Sequence, residues 1–187
     1  VEQAGQLVNE TEVRFDFTHF NPMTTQEIAK VEMLVNKFIL SASSVTMQEM
    51  PIEEAKKMGA MMLFGEKYGD IVRVVKAGDF STEFCGGTHA ANSGEIGLFK
   101  IVSEASVAAG VRRITAYTGL ASLAYLNLNE MAVKTVASIL KTSENEVVER
   151  TQAVISDNKE MEKEIQALNA EITKLKSADM FSKPTLV

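Results

Sequence analysis

A thiol and an imidazole four residues apart in the run Cys85-Gly86-Gly87-Thr88-His89 are the side chains of this sequence best suited to chemistry. Thiolate sulfur and imidazole nitrogen are both zinc donors, and the spacing lets them reach one metal ion if the intervening chain turns helically. Gly86 and Gly87 carry no side chains, so a ligand can approach the backbone closely there. Taken alone the pattern is weak, because cysteine is commonly a small buried apolar residue and a lone histidine is commonly packed or solvated. The chain holds one cysteine and two histidines, His19 and His89. A tetrahedral zinc site takes four ligands, or three and an open position. Cys85 and His89 supply two, and Asp79 and Glu83 are the carboxylates near enough in sequence to add to them.

Other groups carry less. In Phe15-Asp16-Phe17-Thr18-His19, strand alternation places Phe15, Phe17 and His19 on one face and Asp16 and Thr18 on the other, giving His19 a structural role near a strand end. Arg112 and Arg113 point to opposite faces of a strand, one available to phosphate and the other solvated or salt-bridged. Of the ten methionines, Met58, Met61 and Met62 read as flexible core filler. No G-x-G-x-x-G or Walker pattern occurs, so no nucleotide cofactor is expected.

The elements that must position these groups change character near residue 120. Before it, short apolar runs alternate with Gly, Asn, Asp and Pro; after it there is no glycine and one proline, Pro184. Leu7-Val8 and Val13–Phe17 read as strands about the turn-forming Asn9-Glu10-Thr11. Thr24 and Glu27 have capping-box spacing ahead of a helix carrying Ile28, Val31, Leu34, Val35, Phe38 and Ile39. A strand over 43–50, a short helix opened by Pro51, and strands over 71–77, 99–107 and 111–117 follow. Strands with short connections predict an α+β fold with one mainly antiparallel sheet and helices on one side. From 120 to 176 the chain reads as helix, broken at Lys141-Thr142-Ser143-Glu144, where Ser143 and Glu146 offer a new N-cap and a helical hairpin. Val147, Thr151, Val154, Asn158, Met161, Ile165, Leu168, Ile172 and Leu175 alternate spacings of four and three, a coiled-coil seam with Asn158 as a polar a position. The seam suits self-association through 147–175 or packing on its own chain. Phe181-Ser182-Lys183-Pro184 reads as a frayed end.

A formal charge of −6 and a pI near 5.1 argue against a dedicated nucleic-acid binder, which needs clustered Lys and Arg. Nucleic acid would be held by its end, or by parts of a longer chain. One cysteine makes no internal disulfide, which suits a reducing cytoplasm. Val1-Glu2-Gln3-Ala4-Gly5 lacks a signal-peptide pattern, and no apolar run reaches the roughly 18 residues of a membrane span.

Four blocks resemble the editing domain of alanyl-tRNA synthetases. They are Arg14-Phe15-Asp16-Phe17-Thr18-His19-Phe20; Phe64-Gly65-Glu66-Lys67-Tyr68-Gly69-Asp70; Gly78 to His89 with Asn92-Ser93-Gly94-Glu95-Ile96-Gly97; and Ser103 to Ile114. They occur in the family's order and cover roughly residues 1–119. Threonyl-tRNA synthetases and free-standing editing proteins share the Cys-x-x-x-His element, but the wider coverage and the helical extension favour the alanyl enzymes. The resemblance implies a class II synthetase editing domain (second additional domain) over 1–119 and a helical connector over 120–187. Its function would be hydrolysis of serine or glycine wrongly esterified to alanine tRNA, with the tRNA acceptor end as partner. It implies zinc bound by an upstream His-x-x-x-His together with Cys85 and His89. Gln3, in Gln3-Ala4-Gly5, matches a glutamine near the reacting ester. Gly86, Gly87, Thr88, Arg112 and Arg113 are the substrate-binding candidates. The sequence departs from the family in lacking the upstream histidine pair, which would lie ahead of Val1. Zinc binding and editing by this chain are therefore expected to be weak. ATP and Mg2+ would serve only an aminoacylation domain outside it. The rivals are a free-standing trans-editing deacylase and a coiled-coil oligomerisation module.

Overall fold

A computed structural model describes residues 1–62 and 68–182, with side chains as far as 178. Most of the block beginning at Phe64, and the end of the chain from Lys183, lie outside the described residues. The chain divides into two compact units, Val1–Leu126 and Asn127–Val187.

The first unit opens with β1 (Gln3–Val8) and β2 (Val13–Thr18). Asn9 builds the turn between them: its Oδ1 accepts from Thr11 N, Thr11 Oγ1 and Glu12 N, each at 2.9 Å. After Asn21-Pro22, helix α1 (Thr25–Leu40) starts at the Thr24–Glu27 capping box. Then come β3 (Val45–Pro51), α2 (Ile52–Lys57), β4 (Ile71–Ala77), β5 (Ser81–Phe84), a 3-10 turn (Ser93–Ile96), β6 (Phe99–Ala108) and β7 (Val111–Thr118). Gly110 makes the β6–β7 turn at φ +70°, where a Cβ would also meet the Phe20 ring at 3.1 Å.

The fold is α+β and its named strands pair antiparallel, as expected, but they form two sheets and not one. Strands run β1-β2-β7-β6 in the first and β3-β4-β5 in the second. Sequence-adjacent strands pair with each other in the middle of the chain, while β6 and β7 return to the sheet begun by β1 and β2. Strand β5 was not foreseen; it is four residues long, below the length at which alternation is readable.

In the small sheet, Val72 and Val74 of β4 and Phe84 of β5 pack with Ala55 of α2 into a buried cluster, ringed by Met50, Ile52, Ala60 and Tyr68. The larger sheet buries Phe17, Ile101 and Ala116. Its edge strand β6 would leave backbone groups unpaired, and α1 supplies side chains in their place. Asn36 donates from Nδ2 to Phe99 O (2.8 Å) and accepts from Phe99 N (2.9 Å). Glu32 accepts from Ile101 N (2.8 Å) and from Lys100 Nζ (2.9 Å). Ser93, fully buried, joins the C-terminus of α1 to the lead-in of β3, donating to Phe38 O (3.0 Å) and accepting from Ser43 N (2.9 Å).

Helix α3 (Gly119–Leu140) stops where Lys141 takes φ +53°, and α4 (Val147–Ser182) follows a 3-10 turn over Glu144–Glu146. The break lies where expected, though its chemistry differs. The Ser143 hydroxyl does not cap the next helix; it donates to the Glu146 carboxylate at 2.8 Å. Along α4, Val154, Met161, Ile165, Leu168, Ile172 and Leu175 are exposed.

Asn36→Ala removes both partners of the Phe99 peptide and leaves them partly buried. It is expected to cost about 2 kcal/mol, read as a lower urea midpoint with an unchanged m value, whereas replacing Glu53 of the exposed Lys56–Glu53 pair should change little.

Candidate functional site

The candidate site grows out of strand register. Val74 pairs with Phe84 and Val75 with Glu83, so alternation puts Phe84 toward the α2 core and Ser81, Glu83 and the following Cys85 on the other face. Arg73, Val75 and Ala77 of β4 share that face. Cys85 N donates to Arg73 O (3.1 Å), extending the pairing one residue past β5. The chain then leaves the strand as a loop carrying Gly86, Gly87, Thr88 and His89.

Within this loop Cys85 Sγ and His89 Nε2 lie 3.2 Å apart. Two zinc ligands at tetrahedral angles would be separated by about 3.5 Å, so the pair is close to that spacing. The helical turn by which that spacing could bring them together is not present: 85–89 are irregular. The reason lies in Arg73, whose Nη1 donates to Gly86 O (2.9 Å) and Gly87 O (2.6 Å). Those carbonyls point at a guanidinium and not along a helix axis. Of the two glycines, Gly86 has open space where a Cβ would be, while a Cβ on Gly87 would sit 3.5 Å from Cys85 Sγ and 3.9 Å from His89 Nε2. A Cβ on Gly87 would thus stand in ordinary van der Waals contact with both donor atoms. Thr88 is exposed on the same loop.

The donor set was tested against the zinc that the family resemblance implies. Among the described residues no three His, Cys, Asp or Glu side chains converge on one point. Asp79 turns toward Lys76 Nζ at 3.5 Å, fully exposed, and so does not complete a site with Cys85 and His89. Two donors do not make a zinc site, and the residues described here do not fit that metal unaided.

A cavity of about 230 Å³ adjoins the loop, with His89 in its wall. Phe38, Val75 and Ile96 make it largely apolar, and Ser81 and Glu83 are its polar groups. An apolar hollow with a few polar groups and an imidazole at its side has the make-up of a small-ligand site.

The other sequence candidates lie on the larger sheet. Gln3 is half-buried on β1, paired with Phe17, next to an irregularity in register before Gly5. Arg112 is buried and holds Glu104 through both Nε and Nη2, the latter at 2.8 Å. Arg113 holds Asp16 through Nε and Nη2, each at 2.7 Å. Each fork is filled by a carboxylate, so a phosphate contact through either would compete with an internal ion pair. The paired guanidiniums hold the Asp16 and Glu104 carboxyls below their ordinary values, in each case chiefly through the arginine hydrogen bond. His19 is structural in its contacts: its N donates to Gly110 O (3.0 Å), its Nδ1 accepts from Asn21 N (3.2 Å), and its ring meets Phe17 edge-on. Sequence reading passed over Arg73. The available signal was a charge inside the β-branched run Ile71–Ala77, a position where strands rarely spend one without a partner.

Comparison with known proteins gives a consistent family. Residues 72–115 match the threonyl and alanyl tRNA synthetase second additional domain. Over all 187 residues the chain is 49% identical to the alanine–tRNA ligase of Alkaliphilus oremlandii, covering 21% of that protein. It is 52% identical over 172 residues (92% of the chain, 20% of the relative) to that of Fervidobacterium nodosum, and 46% identical over 184 residues (98% and 21%) to that of Listeria monocytogenes. The chain spans about a fifth of the length of these curated relatives.

The two arginine–carboxylate pairs make stability acid-sensitive. Their carboxyls have ordinary values of 3.8 and 4.5 and lie lower when folded. The stability they contribute is therefore present above the ordinary values and is lost as pH falls through the folded ones. The urea midpoint is expected to drop as pH falls below those ordinary values. An Asp16→Asn, Glu104→Gln double variant should start lower and show a shallower dependence over the same range.

Proposed function

We infer that this chain, which corresponds along its whole length to a stretch of alanyl-tRNA synthetases, carries the editing function of those enzymes: hydrolysis of an amino acid wrongly esterified to alanine tRNA. The observation that carries the reading is the convergence of Cys85 Sγ and His89 Nε2 at 3.2 Å, inside the matched segment and beside a small cavity. Serine and glycine are the proposed misacylated residues, and the tRNA acceptor end is the proposed partner. The end of a tRNA demands little of the protein's net charge, which suits an acidic chain.

In the proposed reaction, water adds to the ester carbon, the bond from that carbon to the ribose oxygen breaks, and the ribose oxygen leaves with a proton. Free amino acid and uncharged tRNA result. The cavity would take the aminoacyl group; a hydroxyl in it that finds a hydrogen-bond partner is the feature that tells serine from alanine, and Ser81 and Glu83 are the polar groups at hand. Gln3 is the proposed residue for orienting water or the carbonyl, and Thr88 and the bare backbone of Gly86 and Gly87 for receiving the acceptor end. Arg112 and Arg113 serve this reading best as braces of the sheet. Zinc held by Cys85 and His89 requires donors beyond the described residues, so the chain alone is proposed to bind it weakly and to edit poorly. ATP and Mg2+ belong, in this reading, to an aminoacylation activity located elsewhere in the parent protein, and the protein would work in the cytoplasm. No described helix is long and apolar enough to cross a membrane.

A free-standing editing protein is the less favoured enzyme reading, because the likeness to alanine–tRNA ligases runs on through α3 and α4. A second reading, self-association through 147–175, is favoured by one observation: the apolar seam of α4 is exposed from Val154 to Leu175. Sedimentation of the chain with and without 144–187 tests it; a concentration-dependent dimer that disappears on truncation is expected, and monomers in both cases reject it.

The editing reading is tested by deacylation of serylated alanine tRNA. Little hydrolysis is expected from the 187 residues with added zinc, and recovery when a histidine pair is supplied on an N-terminal extension. Cys85→Ala should abolish the recovered rate. An extended protein that hydrolyses equally well with Cys85→Ala would sink the assignment of the site.

A further inference from the structure

We propose that Arg73 is the positioning residue of the Cys85–His89 pair, acting as a clamp on the glycine-rich loop between them. Three successive loop residues are tied to this one side of β4. Cys85 N donates to Arg73 O at 3.1 Å, and Arg73 Nη1 donates to Gly86 O at 2.9 Å and to Gly87 O at 2.6 Å. On its far side the guanidinium faces Met47 of β3. One guanidinium nitrogen therefore holds two consecutive carbonyls against the antiparallel β3–β4 pair.

The clamp matters because, among the described residues, few other hydrogen bonds fix the loop. Two adjacent glycines have the widest backbone freedom of any dipeptide. Gly86 has nothing within 4 Å of its missing Cβ, so no steric wall restricts it. The hydrogen bonds to a full positive charge are of the stronger kind, and they act on the residues that separate the thiol from the imidazole. With the carbonyls of Gly86 and Gly87 both drawn toward β4, the chain reverses over a short span and returns His89 Nε2 to within 3.2 Å of Cys85 Sγ. Arg73 touches neither donor atom; it acts through the backbone that joins them.

The role in hydrolysis rests on the editing reading, but the clamp can be tested without it. The chain has two histidines and one cysteine, so the imidazole NMR signals are few and the thiol is unique. In chelator-treated buffer, Cys85→Ser is expected to shift the ring signals of His89 and leave those of His19 in place. In an Arg73→Met background, which keeps the apolar stem but removes every donor, the same substitution should move His89 by less than half as much. An unchanged shift in an Arg73→Met chain that keeps its β-sheet amide spectrum overturns the proposal. Where that variant loses the sheet, Arg73→Gln takes its place: a reduced shift supports the clamp and a full shift overturns it. Failure of the extended protein to deacylate, with the His89 coupling intact, counts against the editing reading and leaves the role of Arg73 standing.

Discussion

Two narrow sheets expose more edge than one wide sheet of the same strand count, and backbone groups at an edge must find partners in water or in protein. In the first unit that constraint is met from outside the ladders. Asn36 and Glu32 on α1 act as a substitute neighbour for the start of β6, offering a donor and acceptors where another strand would have offered peptides. Ser93 does the same between α1 and β3 with one buried hydroxyl. The position of α1 follows from these bonds as much as from its apolar stripe, and α1 in turn contributes Phe38 to the cavity beside His89.

The same economy governs the charges. Arg73, Arg112 and Arg113 are all spent inside the unit: one on loop carbonyls, two on carboxylates. A strand arginine that is half-buried or buried needs partners to offset its lost hydration, and each has found a planar or paired set of acceptors. With these three arginines engaged, an acidic chain has little to offer a phosphate backbone, which suits the proposed recognition of a tRNA by its aminoacylated end.

The second unit follows different physics. Without glycine and with one proline after residue 120, the chain continues as helix until Lys141 adopts a left-handed conformation. Its long helix α4 keeps a regular apolar seam that nothing in the described chain covers between Val154 and Leu175. The curated relatives are about five times longer than this chain.

Local signals in the sequence determined much of this protein: the capping box at Thr24 and Glu27, the Asn9 turn, the helical break near Ser143 and the α+β character all depend on residues within a few positions of each other. The Cys85-x-x-x-His89 spacing was legible for the same reason, and so was the family, because four blocks stand in order along the chain. Tertiary structure alone decided that the strands form two sheets, since β7, with β6 beside it, pairs across some ninety intervening residues with β2, a strand whose apolar pattern would equally suit other partners. It alone decided that Arg112 and Arg113 meet carboxylates brought to them by register. It also made Cys85–His89 an irregular loop and not a helical turn, with the guanidinium of Arg73, thirteen residues upstream of Gly86, taking the carbonyls a helix would have used. Short-range chemistry was written in residue type and spacing; which long-range partner wins a hydrogen bond depends on the packing that brings the two together.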